Sequence, residues 1–220
     1  MNLRRQRFVV VISTNSNMDI VDKLAEIFKE FPGIGERQAK RFVYFLMSRT
    51  NAYNENLSAL ILDLKKEIAQ CKECFRFFVQ KNNMQSTVCE ICLNPNVDPT
   101  TLLVVEKDSD LESIRKSGIY NGKYFILGGL VPIVEKNTKN RVRIEELKQR
   151  VKNNGVKEVI LAFSLNPQGN HTDSYVRSEL GTITEGQDIK ISSLGRGLST
   201  GIELEYSDND TLKNALKNRQ

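Results

Sequence analysis

The chain has 220 residues, 40% hydrophobic and 27% charged, with 32 lysines and arginines against 27 aspartates and glutamates. These are the proportions of a globular protein of one large domain or two small ones. No apolar run approaches the ~18 residues of a membrane span, and Phe8 to Ile12 is too short for a signal-peptide core, so a cytoplasmic protein with no membrane partner is expected. The net charge of +5 permits a polyanionic partner, and its excess sits in residues 1–50 (+4) and 101–150 (+3). A single histidine excludes any catalytic scheme that needs two.

Residues 1–17 read as a flexible extension, with Arg4, Arg5 and Arg7 as an alternative nucleic-acid arm. Residues 18–70 are helical. Ile20, Leu24, Ile27, Phe28 and Phe31 recur on one helix face until Pro32-Gly33-Ile34-Gly35 breaks the pattern. A second helix carries Ala39, Phe42, Val43 and Leu46, and a third Leu57, Leu60, Ile61, Leu64 and Ile68. Two helices joined by P-G-I-G have the signature of a helix-hairpin-helix. Its glycines permit a tight turn and leave backbone N–H groups open to a phosphate oxygen at the start of the second helix. Arg37 and Arg41 lie four apart on that helix, beside Lys40, placed to neutralise DNA phosphates without reading sequence. The candidate DNA-binding residues are therefore Gly33, Gly35, Arg37, Lys40 and Arg41. An ordinary helical hairpin with a solvated basic face is the competing reading.

Cys71-x2-Cys74 and Cys89-x2-Cys92 contain all four cysteines, 14 residues apart. Two such knuckles suit one tetrahedral Zn²⁺, whose role is structural because no coordination position stays open. Disulfides are disfavoured in a cytoplasmic chain. The segment 71–95 is thus a four-cysteine zinc finger.

Beyond it the texture becomes α/β. Buried-strand runs are predicted at Thr101 to Glu106, Tyr124 to Leu127, Val156 to Phe163 and Ile189 to Leu194. Helices are predicted near Asp110 to Lys116, Arg143 to Asn153 and Thr172 to Leu180, which together imply a mostly parallel sheet with helices on its faces. Glu106 ends the first of these strands, where such sheets place ligand chemistry, with Asp108 and Asp110 close behind. A Mg²⁺ cluster there needs a second acidic group, and Ser164 to Asn170, read as a loop, has none. Asp110 is alternatively a helix cap, and Asp108 simply solvated. His171 reads as an ordinary surface or core residue. Gly195 to Gly201 lacks the Gly-Lys-Ser/Thr ending of a nucleotide loop and reads as a chain reversal or interface.

The order of these parts resembles the RecR family of recombination mediators. F-P-G-I-G-E-R-Q-A-K-R-F at 31–42 is similar to its helix-hairpin-helix, and the paired C-x2-C falls where that family has its zinc finger. L-L-V-V-E-K-D-S-D-L at 102–111 and G-I-Y-N-G-K-Y-F-I-L-G-G at 118–129 resemble the opening of its Toprim domain. Residues 196–219 resemble its carboxyl-terminal signature, with Ser199 where proline is usual. Gln168 and Asn170 replace the two glutamates of the family's N-P-T-x-E-G-E loop.

The resemblance implies an α+β multidomain chain: an extension at 1–17, a helix-hairpin-helix domain at 18–70, a zinc finger at 71–95, a Toprim domain at 100–196 with its mostly parallel sheet, and an oligomer contact at 197–220. It also implies a DNA-repair protein without catalysis, a dimer or tetrameric ring on DNA. With RecO, and sometimes RecF, it helps load RecA onto strands coated by single-strand-binding protein. Glu106, Asp108 and Asp110 become candidate partner contacts. The runner-up is a Toprim metal-dependent nuclease or strand-transfer enzyme that uses those three carboxylates.

Overall fold

A computed structural model describes residues 18–80, 86–134, 141–153, 155–184, 188–195, 197–198, 200–201 and 203–218. The expected extension at 1–17, Lys136 and Lys139 of the mid-chain basic segment, and Arg196 and Ser199 of the glycine-rich loop lie outside these residues. The chain falls into two compact units that part between Lys66 and Glu67.

The first unit is helical. Helix α1 (Ile20–Lys29) starts at Asp19, whose carboxylate accepts the Asp22 N–H at 2.9 Å. Its apolar face, Val21, Leu24, Ala25 and Phe28, packs on Ala39 and Val43 of helix α2 (Glu36–Met47). Alanines at 25 and 39 keep the helices close, and Phe28 meets Phe42 edge to face with ring centres 5.8 Å apart. Helix α3 (Asn51–Glu67) follows. Its predicted stripe is present, but Leu60, Ile61 and Leu64 are exposed, and α3 has no buried residue among those described. Ile68, predicted as the end of this helix, instead opens a strand.

The second unit begins with a small antiparallel pair, β1 (Ile68–Gln70) and β2 (Phe77–Val79), followed by the short helix α4 (Glu90–Leu93). A parallel sheet then forms from β3 (Asp98–Val105), β4 (Gly122–Ile126), β5 (Glu158–Ala162) and β6 (Lys190–Ser193), in the order β4-β3-β5-β6. Helices α5 (Asp108–Ser117), α6 (Ile144–Asn153) and α7 (Pro167–Thr184) make the crossovers. The strand alternation sorts the core: Leu102 and Val104 face Leu147, Val151, Val176 and Leu180, whereas Leu103 and Val105 face Leu111. Helix α7 starts at Pro167, so the stretch read as a loop at 164–170 is largely the first turn of a helix. Asn166 prepares that turn by accepting the Gly169 N–H at 2.7 Å. A final helix α8 (Asn209–Lys217) is capped by Asp208, which accepts the Thr211 N–H.

Candidate metal centre and nucleic-acid interface

The four cysteines converge. The sulfurs of Cys71, Cys74, Cys89 and Cys92 all lie within 4.8 Å of one another, and Cys74 and Cys89 are 3.6 Å apart. A metal bonded to four sulfurs at ~2.3 Å sets them ~3.8 Å apart, so the cluster fits a tetrahedral ion. Among the described residues this is the single group of metal-ligating side chains that could hold one.

Backbone geometry builds the site. The Phe75 N–H donates to the Cys71 carbonyl at 3.0 Å, the Cys71 N–H donates to Arg76, and Phe75 adopts a left-handed φ of 62° to close the knuckle. The Cys89 N–H points at the Cys71 sulfur at 3.3 Å, the kind of outer contact that steadies a thiolate. Packed together without a cation, the thiols divide sharply. Hydrogen bonds from Cys74, Cys89 and Cys92 pull Cys71 far below the usual thiol range. Cys89, raised by Cys71 but lowered by Cys74 and Cys92, settles at about 7. Cys74 is driven up by hydrogen bonding to Cys71 and Cys89 against a lowering contribution from Cys92, and Cys92 is driven up by Cys71, Cys74 and Cys89. A divalent cation removes that conflict by stabilising all four thiolates at once.

Residues outside the C-x2-C pattern fasten this centre to the sheet, and the spacing gave no sign of them. The Ile126 N–H donates to the Cys74 carbonyl at 2.9 Å. Lys123 reaches the carbonyls of Ile91, Cys92 and Asn94 at the end of α4. The Phe75 ring packs edge to face on Phe125, with the Arg143 guanidinium 5.2 Å from its centre. Arg143 also donates to the Ile126 carbonyl, and a Cβ at Gly128 would lie 2.5 Å from Arg143 Nη1. That basic residue therefore serves packing rather than a solvated polyanion face.

The carboxylates behind β3 separate in role. After β3 the chain first adds β4 on one side and then β5 on the other, so the β3–β5 crevice is the switch point of the sheet. Glu106 stands there, 3.4 Å from the Ser164 hydroxyl. Asp108, which the sequence offered as solvated or metal-binding, accepts the Phe77 N–H at 2.8 Å and ties β2 to α5. Lys107 occupies the cap position of α5, so Asp110 is a first-turn residue rather than the cap. The three carboxylates do not converge as a metal group. Beside the crevice, a Cβ on Gly169 would lie 1.9 Å from the Ser164 carbonyl, so only glycine fits. The buried Thr172 hydroxyl accepts the Val131 N–H at 2.9 Å and donates to Gln168. His171 is half-buried on α7.

In the helical unit the P-G-I-G segment forms the turn as the sequence implies. Gly33 has φ +77°, which favours glycine, and the Ile34 N–H donates to Phe31. Gly35 is the N-cap of α2 in extended backbone, with no side-chain cap. A Cβ at Gly35 would meet nothing within 4 Å, so the chain itself does not require glycine there; its bareness leaves the first N–H groups of α2 open. Arg37 and Arg41 are exposed on one face, and Arg41 has a weak contact to Gln38. Lys40 instead lies near Asp22 and Glu36, at 3.7 and 3.6 Å.

Comparison with known proteins covers both units. The Toprim domain family matches residues 100–194, and the family described as RecR, C-terminal matches residues 197–220. The recombination protein RecR of Bacteroides thetaiotaomicron is 36% identical over 200 residues, 91% of this chain and 93% of its own. That of Lactobacillus acidophilus is 34% identical over 197 residues (89% and 94%), and that of Legionella pneumophila 31% over 202 residues (92% and 96%). Likeness on this scale takes in the helical hairpin, the cysteine centre and the parallel sheet together, and the chain belongs to the RecR family.

Proposed function

We propose that this chain is a DNA-binding mediator of recombinational repair with no catalysis of its own. It acts with RecO, and sometimes RecF, to promote RecA loading onto single-stranded DNA. The observation that carries the reading is kinship to proteins named recombination protein RecR along nine tenths of the chain. The open start of α2 supports the DNA contact, with Gly33 and Gly35 shaping the approach and Arg37 and Arg41 meeting phosphates. Lys40, drawn toward two carboxylates, is the weakest member of that set.

The cysteine centre holds one structural Zn²⁺, and the exposed apolar face of α3 suits assembly into a dimer or ring, with residues 197–220 as a further contact. The functional division follows the segments 18–70, 71–95, 100–196 and 197–220, within a cytoplasmic protein. Glu106 and Asp110 at the sheet's carboxyl end are offered to a protein partner, whereas Asp108 is engaged with Phe77. Dispersal of the three carboxylates weighs against the nuclease reading.

Salt titration of DNA binding by the purified chain tests the proposal. Affinity should be insensitive to sequence and should fall linearly in log–log form as salt rises. Absence of binding at low salt, or Mg²⁺-dependent nicking lost in Glu106→Gln, would overturn it.

A further inference from the structure

The exposed face of α2 does not end with its arginines. At about 100° per residue, Arg37, Arg41, Tyr44 and Phe45 share one sector, directly opposite the buried Ala39 and Val43. Tyr44 is 58% exposed although nothing in the fold requires an aromatic on that side. At the end of the helix Phe45 and Tyr53 meet edge to face, with ring centres 6.1 Å apart and both residues over 40% exposed. The Arg49 guanidinium lies 4.2 Å from the Phe45 centre and 5.7 Å from that of Tyr53. Among the described residues Arg49 has no carboxylate partner, and neither do Arg37 and Arg41.

This places an exposed guanidinium over an exposed ring, and planar guanidinium and aromatic groups are what unpaired bases stack on. Uncompensated arginines along the same face favour a polyanion over an apolar partner. We infer that Tyr44 and the Phe45–Arg49–Tyr53 group form a stacking platform for unpaired nucleobases, continuing the phosphate-binding face of α2. The α2 face then distinguishes single-stranded from fully paired DNA without reading sequence. The inference rests on the DNA-binding reading above and adds base contact to it.

Fluorescence anisotropy with the full chain compares an oligothymidine of about 20 nucleotides with an abasic strand of equal length and charge. The native chain should bind the thymidine strand at least ~5-fold more tightly, the lower bound for one stacked base. Arg49→Lys keeps the charge and loses the plane, and Tyr44→Ser removes an exposed ring; each should bring the ratio toward one. Circular dichroism checks the fold, and since both positions are on the surface, loss of the preference in either folded variant supports the platform. Equal binding of both strands by the native chain would overturn the platform while leaving the DNA reading intact. Binding of neither would remove both. A preference that persists in both variants would place base contact elsewhere. Loss of the preference together with a fall in native mass would assign this face to a second copy of the chain.

Discussion

The two units solve the burial problem in opposite ways. In the sheet unit, strands β3 and β4 are covered on both faces, and Phe125, Leu102, Val104, Leu147 and Leu180 are sealed from solvent. In the helical unit the fully buried set reduces, among the described residues, to Ala25, Ala39 and Val43, while Leu60, Ile61, Leu62 and Leu64 stay exposed. A cluster of three small side chains contributes only a few kcal/mol of burial. Among the described residues the first unit therefore leaves much of its apolar surface open, whereas the second closes its own core. Apolar periodicity specifies a helix equally well in either case; it does not say who supplies the opposing surface.

Metal loss should have the largest effect on this contrast. Metal-binding free energies for four-ligand sites are on the order of 10 kcal/mol, so chelation or Cys89→Ser should lower the melting temperature of the sheet unit sharply. It should also speed amide exchange at Phe77, Ile126 and Cys89, while α1 and α2 exchange as before. Elemental analysis should give one zinc per chain, and unchanged melting after metal removal would dissolve the distinction between the units.

Next, Phe125→Ala should cost about 3–5 kcal/mol by denaturant titration, since the ring is wholly buried and carries Phe75 on its edge. The triple change Leu60→Ser, Ile61→Ser, Leu64→Ser should hardly affect a dilute monomer, and its effect should appear as a lower native mass; a comparable loss of monomer stability would show that α3 is already covered. Thr172→Val should cost about 1–3 kcal/mol, because it strands the buried Val131 N–H, and the conservative Thr172→Ser should restore it.

The smallest effect is expected at Glu158. The Ser192 hydroxyl, then Lys190, holds this carboxyl below its ordinary 4.5. A depressed acid contributes stability above its unfolded value and loses it as pH falls. Glu158→Gln should therefore cost no more than ~0.5 kcal/mol at pH 7, and the difference from native should shrink below pH 4.5. A difference that grows on acidification would contradict this assignment.

Much of this was legible in the sequence, for identifiable reasons. Three strands of the parallel sheet, β3, β4 and β5, carry runs of branched, leucine or aromatic residues, and the cysteines declare themselves by spacing; the expected strand at β6 forms, but none of its residues is buried. The sequence around the first cysteine pair did not reveal the β1–β2 pair, because three-residue strands are too short for alternation to register. The start of α7 was hidden because Asn166-Pro167-Gln168-Gly169 has loop composition, yet proline at the first helical position and a side-chain acceptor before it suit a helix start. The bond that Asp108 makes was not foreseen because its partner is a backbone N–H 31 residues away, which no local pattern encodes. In the candidate DNA face, Arg37 and Arg41 were visible from their spacing. The Phe45–Arg49–Tyr53 group was not, since it joins the end of one helix to the start of the next.

The hydrogen bond from Ile126 to Cys74 has a consequence for association between chains. Strand β4 is an outer strand of the parallel sheet, and its free side is where another chain's backbone would otherwise add. The cysteine knuckle sits on that side, and Lys123 anchors it. Without the knuckle in place, β4 would present unpaired backbone groups on that side, beginning with the Ile126 N–H. Holding the four cysteines together therefore also guards this edge, and a chain in which they are not held should be more prone to edge-to-edge association.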